Sequence, residues 1–312
     1  MLLTNKGSTI IIILAVAVLI FLPFIISDYY LYLIRLIAIY AILTMGLNIF
    51  MGYCGQINFG TAAFYCIGAY STTMLQIKFN WHFFLAFPVA MMLNYSVAWL
   101  ISFPFLRLKG HAMAIGTLAF AIAIYLLAER FPDLTGGADG IFVPPILLFG
   151  KKVGTIFLHY FILSFAAVAY LISYFLANSD IGRAMKAIRD DEVAAAALGV
   201  NVDNYKKLAW ITNAMFGGVA GALYAVQAEF ICPSTFSLGT NINVLIMNCV
   251  GGLGSTLGAV VGAGIMTLLS YFLVAIQEYI LLVHGLTLFF VLRFLPDGVV
   301  GAIRKFFEGK KI

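Results

Sequence analysis

Asp190, Asp191 and Glu192 stand side by side and are the densest set of chemically capable side chains in the sequence. Paired carboxylates can hold Mg²⁺ against a pyrophosphate, as a membrane-embedded transferase would require. Such a site needs several convergent acids, and the 13 acidic residues of the chain form no second cluster. Metal-assisted transfer is therefore rejected. Cys54, Cys66, Cys232 and Cys249 contain no CxxC pair and lie in or beside apolar runs, so neither a zinc site nor a disulfide framework is expected. The sequence has no G-x-x-x-x-G-K-[ST] loop and cannot bind a nucleotide in that way. No catalytic residue, metal or cofactor is assigned, and the chain is read as a non-enzyme.

The other candidates are polar groups in apolar surroundings. Gln56 and Asn58 sit among Gly52, Gly55 and Gly60, and Asn248 precedes Gly251, Gly252 and Gly254. Glycine-broken helices carrying amides are where transporters place pathway groups, because free backbone is tolerable only in a cavity or buried in protein. For Gln56 and Asn58, lining a substrate path and bonding neighbouring helices both remain open. The second stretch reads as a tight turn or close packing. Gly254, Gly258 and Gly262 recur every four residues, as do Gly217 and Gly221, and are assigned to helix packing. Arg35 and Arg293 fall inside or at the edge of apolar runs. Each is expected to snorkel to an interface, with Asp297 near enough to pair with Arg293. An ion-coupled transporter would need a central ionisable group, and none is convincing.

The elements carrying these residues belong to a membrane. Apolar residues make up 63% of the chain and charged residues 10%, with a mean hydropathy of +1.04; soluble domains carry about 25% charged residues. Ten runs fit the roughly 20 residues of a spanning helix: 9–27, 31–51, 61–77, 82–106, 111–129, 155–176, 207–228, 241–252, 256–276 and 279–296. The first is read as an uncleaved span. The eighth is short, and nine spans or a re-entrant segment is the alternative. With a cytoplasmic N-terminus, Lys6, Arg107, Lys109, Arg183, Lys186, Arg189, Lys206, Lys207, Arg304, Lys305, Lys310 and Lys311 lie inside, against Lys78, Arg130, Lys151 and Lys152 outside. That bias sets both termini and residues 177–206 in the cytoplasm. The net charge of +5 thus reflects orientation, and membrane lipid rather than nucleic acid is the expected surroundings. The fold class is all-α, a single polytopic domain over residues 1–312.

The loop at 177–206 is ordered by its own sequence. Ser179 or Asp180 can cap a helix on which Arg183, Lys186 and Arg189 form a basic strip beside Met185 and Ile188. The acids at 190–192 begin an alanine-rich helix, and Gly199 is a natural stop. Two short helices in one loop are predicted. The small face from Ala194 to Leu198 suits close approach by another protein.

The sequence resembles the permease subunits of branched-chain amino-acid ABC importers, the LivM type. The resemblance runs through "GYCGQINFGTAAFYCIGAY" (52–70), "LRLKGHAMAIGTLAFA" (106–121), "LTGGADGI" (134–141), "GRAMKAIRDDEVAAAALGV" (182–200), "AMFGGVAGALYA" (214–225), "PSTFSL" (233–238) and "GGLGSTLGAVVGA" (251–263), in the family's order. It implies that the loop is an EAA-like element seated in a groove of an ATPase subunit, with Gly182, Arg183, Ala184, Ile188, Arg189, Asp190, Asp191, Glu192, Ala195, Leu198 and Gly199 as its coupling residues. The Glu-Ala-Ala spacing departs from the general pattern, because Val193 interrupts it. The resemblance also implies two ABC ATPase subunits that hydrolyse the ATP, a homologous second permease of the LivH type, and an extracytoplasmic substrate-binding protein. The substrate it implies is leucine, isoleucine or valine, with urea or short amides as the alternative, and the location is the bacterial cytoplasmic membrane.

Overall fold

Nine of the ten apolar runs lie on helices in the computed structural model, which describes residues 26–108, 110–148, 150–273, 280–295 and 297–307, and Pro23. The expected first span, with Lys6, Lys109, Lys310 and Lys311, lies outside the described residues. Helix α1 (Asp28–Leu47) continues into a six-residue π-turn (Asn48–Tyr53). After a glycine-rich turn come α2 (Thr61–Phe79), α3 (Phe83–Phe105) and α4 (His111–Arg130). The connection to α5 (Thr155–Asn178) holds β1 (Ile141–Phe142), β2 (Leu147–Leu148) and β3 (Lys151–Lys152). Two short helices, α6 (Asp180–Asp190) and α7 (Glu192–Ala197), lead to α8 (Val202–Ala228) and to β4 (Phe230–Ile231), which pairs antiparallel with β1. Then follow α9 (Leu238–Gly251), α10 (Thr256–Phe272), α11 (Ile280–Phe294) and α12 (Gly298–Phe307). The protein is an all-α polytopic membrane protein. Five described helices are individually long and apolar enough to cross a bilayer: α1 with its π-turn, α3, α4, α5 and α8.

The helices sort into an inner and an outer set. The spanning windows of α1 and α8 are 78% and 72% buried, whereas that of α5 is 17% buried. Both sets are apolar, so lipid rather than water must face the outer one. The inner set approaches closely through glycine. A Cβ on Gly221 would lie 2.0 Å from the Tyr65 carbonyl oxygen of α2, and one on Gly217 would touch Phe64. Trp210 of α8 is fully buried, with Phe50, Phe64 and Phe105 packed edge-on around its ring. Its indole N–H donates to the Ala98 carbonyl at 3.0 Å, so the ring's one polar atom is satisfied within the apolar core.

The hairpin of α9 and α10 uses the same device, because a Cβ on Gly258 would meet the Gly251 oxygen and one on Gly262 would lie 1.9 Å from the Met247 oxygen. Gly254 is different. It lies in the turn before α10 with φ +79, a conformation that favours glycine, so it belongs to no helical stripe. With 14 residues, α9 is about 21 Å long. That is shorter than the roughly 30 Å hydrocarbon core, as the brevity of its sequence run foretold.

Candidate functional site

Helix α6 begins where Ser179 turns out of α5 and its side-chain oxygen accepts from the Gly182 N–H at 3.3 Å. Gly182 is buried against the end of α5, where a Cβ would lie 2.3 Å from the Leu176 oxygen. Met185 and Ile188 turn into the protein. Lys186 donates to the Ala177 carbonyl at 3.0 Å and lies over the Tyr53 ring, a favourable place for a cation at a helix C-terminus. Arg183 pairs with Asp180 on the exposed side. Ala184 is half-buried and Asp190 exposed.

Asp191 separates the two helices and caps the second, its Oδ1 accepting from the Val193 and Ala194 N–H groups at 2.8 and 3.0 Å. At the far end, the Gly199 N–H donates to the Ala196 oxygen and the Val200 N–H to the Ala195 oxygen. With Gly199 at φ +86 this is a Schellman stop. Glu192 accepts from Lys206 of α8 at 2.6 Å, and the Lys206 side chain is 3% exposed. The loop is thus tied to the span that follows it.

Arg189 ties it to the rest. One guanidinium N–H donates to the Gly52 carbonyl at 2.5 Å, and the side chain crosses Gly55 and Gly254, where a Cβ would lie within 3 Å of its atoms. Asn48, in the π-turn, accepts from the Gly254 N–H at 2.8 Å and donates to the Ser255 carbonyl at 3.0 Å. The Tyr53 hydroxyl meets Thr256 at 2.9 Å. Three stretches that the sequence separates by well over a hundred residues in total, "GYCG", "IRDDE" and "GGLGS", therefore form one junction. Neither Asn48 nor Lys206 carried a sequence signal: each is one polar residue in an ordinary run, and its partner is defined only by the fold.

Several expectations shift. Ala195 is 2% exposed and faces the chain's own core, so a small outward face through Ala195 does not exist. The exposed apolar side chains here are Val193 and Leu198, at 80% and 85% exposure. Asn58 makes its hydrogen bonds locally, its amide accepting from the Gly60 N–H at 2.7 Å and donating to Thr61 at 3.1 Å, and so closes its own turn rather than bonding a neighbouring helix. Gln56 is half-buried, with its amide 3.4 Å from the Cys54 carbonyl. Arg35 is 5% exposed and does not snorkel, because Gln227 and the Thr155 carbonyl accept its N–H groups inside the protein. Asp297 pairs with Lys305 rather than Arg293. Gly217, Gly221, Gly258 and Gly262 make close contacts within the chain.

The sequence profile of the family described as branched-chain amino acid transport system / permease component matches residues 29–292. The chain belongs to this permease family. Among the permease's relatives is the high-affinity branched-chain amino acid transport system permease protein LivM of Escherichia coli K12, 28% identical over 307 residues, covering 90% of this chain and 72% of the relative. The LivH permease protein of the same organism is 26% identical over 283 residues, covering 84% and 91%. A probable LivM permease of Methanocaldococcus jannaschii is 25% identical over 260 residues, covering 72% and 75%. Similarity to both LivM and LivH proteins places the permease among paired subunits of one kind of ABC transport system. No solved structure matches the permease.

Proposed function

We propose that the permease is one of two membrane subunits of an ABC importer that passes leucine, isoleucine and valine across the cytoplasmic membrane, working as a conduit without catalysis of its own. Its partner is a LivH-type permease, an extracytoplasmic binding protein delivers the substrate, and two ATPase subunits hydrolyse the ATP. Residues 177–206 form the cytoplasmic coupling loop, and both termini share that side. The observation that carries this reading is an exposed apolar tip, Val193 and Leu198, on a loop clamped to α1, α5 and α8. Force applied by a soluble partner reaches the membrane only through an element rigidly joined to both. Arg189 transmits it to the π-turn and to the turn before α10, and the Glu192–Lys206 pair to α8.

The test is substitution at the tip. Leu198→Asp puts a charge where an apolar contact is expected, at a cost of about 2 kcal/mol or more to docking. Gly199→Glu adds bulk where a Cβ would meet nothing within 4 Å, at the cost of placing a side chain on left-handed backbone (φ +86). Both variants should reach the membrane at wild-type level, lose co-purifying ATPase and lose leucine uptake. Wild-type uptake in both would remove the loop from the coupling path.

A further inference from the structure

At the end of α1 opposite the clamp, Arg35 and Gln227 meet in an arrangement that lacks one component. The Arg35 Nε donates to Gln227 Oε1 at 2.6 Å and a terminal N–H donates to the Thr155 carbonyl at 3.3 Å. Among the described residues, no carboxylate pairs with this guanidinium. Because Arg35 fixes the Gln227 oxygen, the glutamine amide nitrogen is turned the other way, and it is buried without an acceptor. Both residues border a cavity of about 240 Å³. Ile146, Leu158 and Val226 give it apolar walls. Glu229 stands at its rim, bonded to Lys152 at 2.8 Å but with its side chain 58% exposed. Glu229 also holds φ +57, a left-handed conformation that side chains other than glycine adopt at a cost.

A buried guanidinium that no carboxylate contacts, Asp28 acting on it only through space, and a buried amide N–H without an acceptor are both satisfied by one carboxylate. An acid at the rim supplies the complementary partner for a cation. We propose that this cavity binds the head group of a zwitterionic α-amino acid, its carboxylate on Arg35 and the Gln227 amide, its ammonium toward Glu229, and its aliphatic side chain against Ile146, Leu158 and Val226. The proposal rests on the transport reading and gives it a site with a chemical preference: urea and carboxamides lack the anion that Arg35 requires.

The full chain, purified in lipid nanodiscs, is tested by saturation-transfer NMR with L-leucine, leucinamide, urea and inorganic phosphate. Wild type should bind leucine and bind the other three at least about tenfold more weakly, the loss of one charge-assisted contact. Gln227→Glu retains the bond to Arg35 and supplies the missing carboxylate within the protein, so it should fold and weaken leucine about tenfold. Glu229→Gln, at the exposed rim, should weaken leucine while leaving isovalerate, which has no ammonium, unchanged. Leucinamide or phosphate binding as well as leucine, no leucine signal in wild type, or unchanged leucine binding in Gln227→Glu would each overturn the site. Leucine uptake by cells carrying the whole transporter is read separately. Uptake with indifferent variants refutes the site alone, and leucine binding without uptake refutes the transport reading alone.

Discussion

Removing Glu192 should harm the loop far more than removing its partner Lys206, although the two form one ion pair. The Lys206 side chain is 3% exposed and that of Glu192 is 36% exposed. In Glu192→Ala the ammonium stays buried with its acceptor gone, which for a fully enclosed pair costs about 3–5 kcal/mol. Water already reaches the glutamate side, and that screening brings the figure to about 2 kcal/mol. In Lys206→Met the glutamate turns into water and the methionine keeps most of the packing, so the loss stays below about 1 kcal/mol. The cost falls on the local opening of α7 rather than on the whole protein. Hydrogen exchange over residues 191–200 should accelerate about thirtyfold in Glu192→Ala and about fivefold or less in Lys206→Met. The double variant should return to the Lys206→Met level. Equal effects of the two single variants, or additive effects in the double, would refute the assignment of the buried partner.

Gly262→Ala and Gly264→Ala lie on the same helix and should behave oppositely. A Cβ at 262 would lie 1.9 Å from the Met247 oxygen, whereas one at 264 meets only Ile37 at 3.8 Å. The first should lose about 3 kcal/mol and most of its folded yield, and the second should match or exceed wild type in thermal stability; equal melting of the two would contradict the packing of α9 on α10. Burial works to raise the Cys232 thiol, but hydrogen bonds from Ser234 and Thr235 outweigh it and hold the thiol below its ordinary value. The thiolate is the reactive form, so alkylation of Cys232 by a soluble maleimide should level off at a lower pH than that of a free thiol. Ser234→Ala with Thr235→Val should move the plateau upward, and an unmoved plateau would refute the cause.

The helices were legible because the bilayer demands long apolar runs, and nine of the runs lie on described helices, five of which are individually long and apolar enough to span. The two-helix loop at 177–206 was legible because Ser179, Asp191 and Gly199 are local stop and start residues whose partners lie within four positions. What escaped depends on contacts between distant segments. Arg35 near the start of a run looks the same whether it snorkels or meets Gln227, 192 residues away. Gly254 keeps the four-residue spacing of Gly258 and Gly262 yet falls in a turn. Ala195 and Ala196 are identical in type, and only the packing of α7 decides that the first is buried and the second exposed. The π-turn has no signature in residue type, and its first four residues (48–51) read as a continued helix that Gly52 then breaks.

The long reach of the bonds made by α1 has a consequence for how the protein is made. Arg35 waits for Gln227, and Asn48 for Gly254, 192 and 206 residues downstream. At 5–20 residues per second, synthesis leaves these groups without their partners for roughly 10–40 s after α1 has emerged. Throughout that interval α1 carries a bare guanidinium and a bare amide at its two ends, where interfacial water can serve them. The hairpin of α9 and α10, joined by four residues (252–255), can close as soon as it is made. The most buried of the five long apolar helices therefore completes its polar contacts only after most of the other helices have been made.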